Sequence, residues 1–190
     1  MSTVVVPLGF ESGVIWLDGE AQHQVTLPDA SATLPKDAWL VWWSAFADSE
    51  TAAALTLTRQ RLADVTGKLG VVSPDEHIKA LYADGLLADF DVSAPEEFFR
   101  HHKLYPLADG LGEVEKESGK FQIAREGNAL LEVNLHVYAI WCMSMYDSSL
   151  WTTITRYATD INAPAEEVVE SVARALPAIV ANRCGFLQSS

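Results

Sequence analysis

Ala38-Trp39-Leu40-Val41-Trp42-Trp43-Ser44-Ala45-Phe46 is matched, 99 positions later, by Val137-Tyr138-Ala139-Ile140-Trp141-Cys142-Met143-Ser144-Met145. The shift sets aromatic on aromatic at Trp39/Tyr138 and Trp42/Trp141, and apolar on apolar at Val41/Ile140 and Phe46/Met145. Apolar residues at nearly every position of 38–47 predict a helix buried on most sides, not a surface stripe. The surroundings correspond too. A strand-like segment precedes each run; a short amphipathic segment follows, then a longer helix ending at Gly85-Leu86-Leu87 or Gly185-Phe186-Leu187. The chain therefore reads as α+β, two related small domains each built around one aromatic helix. Most of the tryptophans read as core. Trp42 and Trp43 cannot both face one core, so one of them is the candidate for an interface between the halves or in a homodimer.

The 190 residues allow one large domain or two of about 90 each, and units of that size can bury a usable core. With 49% hydrophobic and 21% charged residues the composition is globular. The net charge of −13 is shared, −8 over residues 1–95 (5 basic, 13 acidic) and −5 over 96–190 (8 basic, 13 acidic). Neither half carries the basic field that nucleic-acid backbones or anionic membranes attract. The N-terminal stretch lacks the basic and apolar regions of a signal peptide, and no apolar run is long enough for a membrane span, so a cytoplasmic protein is expected. Cys142 and Cys184 sit in apolar-periodic segments and read as buried thiols in a reducing compartment; a disulfide between them stays open.

Strands are expected at 3–6, 13–17 and 24–27, with Asp18-Gly19 as a turn. Asp37 is read as the N-cap of the first aromatic helix, Thr58 as that of a helix closed by Gly67. Ser73-Pro74-Asp75-Glu76 has the form of a capping box with proline at the first helical position; its helix carries Ile78, Leu81 and Tyr82 and leads to a strand over 86–90. Residues 93–118 read as a connector between domains 1–92 and 119–190. It holds a short helix near 96–102, breaks at Pro106, Gly110 and Gly112, and a charged run at 113–117 forming a loop or hairpin tip. In the second domain 121–124 and 129–134 form a hairpin through Glu126-Gly127-Asn128, Asn134 caps the aromatic helix, and Ser148-Ser149 opens the next. Pro177 is expected to kink or split the last helix.

Residues 57–67 with Ser73 to Leu87 resemble the helix-turn-helix core of bacterial winged-helix regulators. The run Gly127-Asn128-Ala129-Leu130-Leu131-Glu132-Val133-Asn134, Ile140-Trp141, and the spacing from Pro164 to Leu187 resemble the PqqD-like peptide-recognition modules of ribosomal-peptide maturation. The resemblance implies two tandem winged-helix-like domains and capture of an extended peptide as an added strand. The surface it implies is Leu130–Val133 with one face of the 165–176 helix. Leu130, Leu131, Val133, Trp42 and Trp43 are the candidate partner-binding residues.

The function expected is therefore a non-catalytic peptide- or protein-binding module, regulatory or in peptide maturation. A winged-helix DNA-binding regulator is the alternative, and a structural or interaction role the third reading. DNA binding is disfavoured because the base-reading positions would hold Asp75, Glu76 and His77, or Ala165, Glu166 and Glu167. No catalytic, cofactor or metal residue is assigned. His101 and His102 are sequence neighbours that point to different faces, and no motif places a third ligand. Cys142 lies among Trp141, Met143 and Met145 as a core thiol, and no glycine cluster forms a phosphate loop.

Overall fold

The computed structural model describes residues 3–190, so the first two residues of the N-terminal reading lie outside it. Val4, Val5 and Val6 are all buried because their strand has a core on each side. This strand, β1 (Thr3–Pro7), pairs antiparallel with β5 (Leu87–Asp91), from Thr3 opposite Asp91 to Pro7 opposite Leu87. Val5 and Leu87 face a core with Trp42, Leu62, Ile78 and Leu81. Val4, Val6 and Phe90 face the other way, into a core with Ile140, Ile154, Val172 and Leu176. The first half thus supplies a two-stranded ribbon to the core of the second.

Between the strands of the ribbon the first half holds the sheet β2 (Phe10–Leu17), β3 (Glu20–Thr26) and β4 (Ser31–Leu34), in that order. The helices α1 (Lys36–Ser44), α2 (Ser49–Ala53), α3 (Arg59–Lys68) and α4 (Pro74–Ala83) follow. After α5 (Glu96–His101) the plan repeats with β6 (His102–Pro106), β7 (Asp109–Glu113), β8 (Lys120–Arg125) and β9 (Asn128–Asn134). Then come α6 (Leu135–Met143), a 3-10 turn at Ser144–Tyr146, α7 (Leu150–Asp160), α8 (Ala165–Ala181) and β10 (Gly185–Ser189), which pairs with β6 as β5 pairs with β1. The architecture is α+β, helices with small antiparallel sheets.

The correspondence reaches single residues. The strand register slips between Glu11 and Gly13 in β2 and between Gly110 and Gly112 in β7, 99 positions on, with Gly13 at φ 126° and Gly112 at φ 81°. Trp42 and Trp141 are both buried, and each indole N–H donates to a backbone carbonyl, of Leu8 at 3.0 Å and of Cys184 at 2.8 Å. Leu8 N–H in turn reaches Leu86 C=O, and Leu107 N–H reaches Cys184 C=O, both at 2.9 Å.

Several local expectations need correction. Ser73 stands at the N-cap of α4 but its side chain makes no cap bond, because its backbone is left-handed (φ 50°) and the Glu76 amide meets the Ser73 carbonyl instead. Pro35, not Asp37, holds the cap position of α1. α3 runs past Gly67 to Lys68, and the left-handed glycine beyond it is Gly70. Gly185 does not close α8; Arg183 takes the left-handed position there, in register with Gly85. Pro177 does not split α8. Burial of Val168, Val172, Leu176, Ile179 and Val180, at roughly 1.5–3 kcal/mol for each side chain, outweighs the ~3 kcal/mol penalty of an interior proline. The 93–118 stretch holds α5, β6 and β7, with β6 and β7 paired into the sheets of the second half. Only Lys116, Glu117 and their neighbours form the tip foreseen there.

Candidate functional site

The turn Glu126-Gly127 has φ 51° and 79°, two left-handed residues in succession, as a tight two-residue hairpin requires. It returns the chain as β9, the outer strand of the order β7-β8-β9, with β8 its one strand partner among the described residues. Leu131 lies opposite Ile123 and Val133 opposite Phe121, while Leu130 is an extra residue in the register with no partner across. All three are half-buried and pack on the second core. The edge of β9 turned away from β8 therefore carries backbone groups with no strand of the described residues beside them.

α8 lies beside β9. A groove of about 380 Å³ separates them, with Val133, Val137 and Ala175 as apolar lining and Glu132, Glu170 and Arg174 as charged lining. β9 ends where the Asn134 side chain accepts from the Val137 amide at 3.0 Å, which caps α6 and holds the strand's end against the helix. Across α8 lies a larger open cavity of about 1140 Å³, lined by Val169, Trp151 and Pro95 and edged by Glu96, Glu97 and Glu166. Glu170 and Arg174 line both and pair with each other at 2.7 Å, so the outer face of α8 is a ridge between two depressions. Arg100 sits 4.5 Å over the Trp151 ring and pairs with Glu96.

Trp42 and Trp43 belong elsewhere. Trp42 is core, stacked edge-on to Phe46 at 5.0 Å. Trp43 is half-buried beneath Arg183 of the second half, 3.3 Å from guanidinium to ring centre. Of the five candidate residues, Val133 lines the β9 groove, Leu130 and Leu131 pack on the second core, Trp42 is core and Trp43 lies at the seam between halves. Glu170 and Arg174 lie on the 165–176 helix already implied as part of the surface, though not singled out there, and Trp151 was not among the candidates. The i, i+4 spacing of Glu166, Glu170 and Arg174 was the available signal, since it sets them on one helix face.

The titratable groups sort by burial. His101 is exposed and faces Glu97 Oε1 at 3.1 Å. His102 stacks on Phe98 at 3.8 Å and its Nδ1 meets the Phe98 carbonyl at 2.8 Å; burial pushes its pKa down from the usual 6.5. Cys142 and Cys184 are free thiols, Cys184 fully buried with its pKa pushed up to about 11 by burial. Among the described residues no three His, Cys, Asp or Glu side chains are grouped to hold a metal, and no helix is long and apolar enough to cross a membrane. Comparison with protein-family models, with curated proteins and with solved structures returned no match.

Proposed function

We propose that the protein is a non-catalytic binding module that takes up an extended segment of a peptide or protein partner. The open edge of β9, set beside the α8 groove, carries this reading. A segment laid there would complete the backbone hydrogen bonds of β9, and alternate side chains would enter the apolar floor between Val133 and Ala175. The other sheet edges are poorer templates. Of the outer strands of the two three-stranded sheets, β4 has only four residues and β2 and β7 are bulged at left-handed glycines, whereas the bulge of β9 at Leu130 leaves 131–134 in regular register. Glu132 and Glu170 at the groove, in a chain of net charge −13, favour a basic or neutral segment. The PqqD-like resemblance rests on the hairpin β8–β9 followed by α6, α7 and α8, and the winged-helix-like reading of the first half on α3, α4 and β5. DNA binding ranks behind it, since the exposed start of α4 presents Asp75 and Glu76 to any phosphate.

Peptides selected from a random library on the full chain provide the test, followed by hydrogen exchange of the complex. Selected sequences should be basic with alternating apolar residues, and binding should slow exchange at 129–133 while leaving β2 and β7 unchanged. Protection confined to other elements would contradict the proposal, as would failure to select any peptide.

A further inference from the structure

Arg183 occupies a backbone conformation that the other half gives to glycine. α4 and α8 end in the same closure, Leu86 N–H to Leu81 C=O at 2.8 Å and Cys184 N–H to Ile179 C=O at 2.9 Å. The residue before each closing amide is left-handed, Gly85 at φ 68° and Arg183 at φ 53°. A side chain there costs about 1 kcal/mol or more. In return the arginine gains a particular place. Its guanidinium lies over Trp43, with Phe46 at 5.2 Å, and burial works against its charge. Among the described residues it forms no ion pair.

Arg125, at the end of β8, donates from Nη2 to the Arg183 carbonyl and likewise has no carboxylate partner among the described residues. Both arginines line one cavity of about 320 Å³ at the seam between the halves, with Phe10, Trp43, Leu107 and Phe186 around it. That volume falls at the small end of ligand sites, which run from about 300 to 1,000 Å³. The lining includes one carboxylate, Glu11, whose charge favours that of Arg183 without forming an ion pair, and its Oε1 accepts from Trp39 Nε1 at 3.1 Å and faces His23 Nδ1 at 3.3 Å.

We propose that the seam cavity binds an organic carboxylate, its anionic head held by Arg125 and Arg183 and its flat apolar body against Phe10, Trp43 and Phe186. Guanidinium groups bind carboxylates through paired N–H donors, and aromatic rings on one side lower the local dielectric and strengthen those bonds. The carboxylate has two possible sources, a free aromatic acid or the C-terminal aromatic residue of a peptide. The cavity is separate from the β9 groove, so either reading can fail without the other.

Calorimetric titration of the full chain tests it, with phenylacetate and with the tripeptide Gly-Gly-Phe as free acid, each beside its neutral amide. At least one acid should bind about tenfold or more tighter than its amide, and the better acid identifies the source. Arg183→Gly keeps the helix end in the conformation that Gly85 has, and should weaken the acid about tenfold or more while the protein stays folded. Arg125→Gln, at the exposed end of β8, should do the same and keeps the test valid if Arg183→Gly lowers stability. Equal binding of acid and amide would overturn the proposal. So would absence of binding by both acids, or affinity that neither substitution changes.

Discussion

One hydrogen bond separates the two buried indoles. The Leu8 carbonyl accepts from Trp42 and from no other donor among the described residues, whereas the Cys184 carbonyl keeps the Leu107 amide if Trp141 is lost. Trp42→Phe should therefore be the costlier change by about 1–3 kcal/mol, the penalty of a buried acceptor left unpaired. Denaturant unfolding of the two variants would show equal midpoints if that account were wrong. His102 gives a pH signature. Its pKa is lowered by burial in the folded chain, so the unfolded chain binds the proton more readily. The contribution is fully present above the unfolded value of 6.5 and is lost as the pH falls through the folded pKa. The thermal midpoint of the wild type should fall more steeply than that of His102→Gln as the pH drops from about 7 to about 5. Parallel curves for the two proteins would rule it out. The helix starts at Thr58, Asn134 and Ser149 were legible because those side chains reach the third amide beyond. Ser73 was misread because its composition carries no sign of a positive φ.

At the scale of elements, the bulges of β2 and β7 aim each second strand at its helix. In the first half Glu11 receives the Trp39 indole N–H; in the second the Gly112 amide donates to the Tyr138 hydroxyl at 3.1 Å. A Cβ at Gly110 would lie 2.3 Å from that hydroxyl, so Gly110→Ala must push Tyr138 aside and break the bond. Its cost should exceed the roughly 1 kcal/mol of a Gly→Ala change at positive φ with no steric clash, for which Gly13→Ala, with open space around it, is the reference. Equal losses in a thermal-unfolding comparison would show that the contact is slack. Gly13 and Gly112 stand 99 apart, so this feature could have been found from the same shift that matched the aromatic runs. The end of α8 could not, because Asn182-Arg183 lacks the glycine that usually marks a helix end, and Gly185 two residues on drew the boundary to itself.

For the whole molecule, the duplicated order of elements was visible in sequence, but the way the halves join was not. Val4 and Val6 read as an ordinary strand; nothing local says that they face a core built by residues beyond 98. Gly9 N–H donates to the Leu187 carbonyl at 2.7 Å, Ser49 Oγ to Asn182 Oδ1 at 2.8 Å, and Phe10 packs on Phe186 at 5.3 Å, so the seam is bonded along its length. This join fixes the wall of the seam cavity and the core under β9 as one unit. Native-state hydrogen exchange of the full chain in increasing denaturant tests it most directly. The amides of β1 and β5 and those of α7 and α8 should lose protection in a single opening with one free energy and one denaturant slope. Protection in α7 and α8 that outlasts the opening of β1 would contradict a shared core.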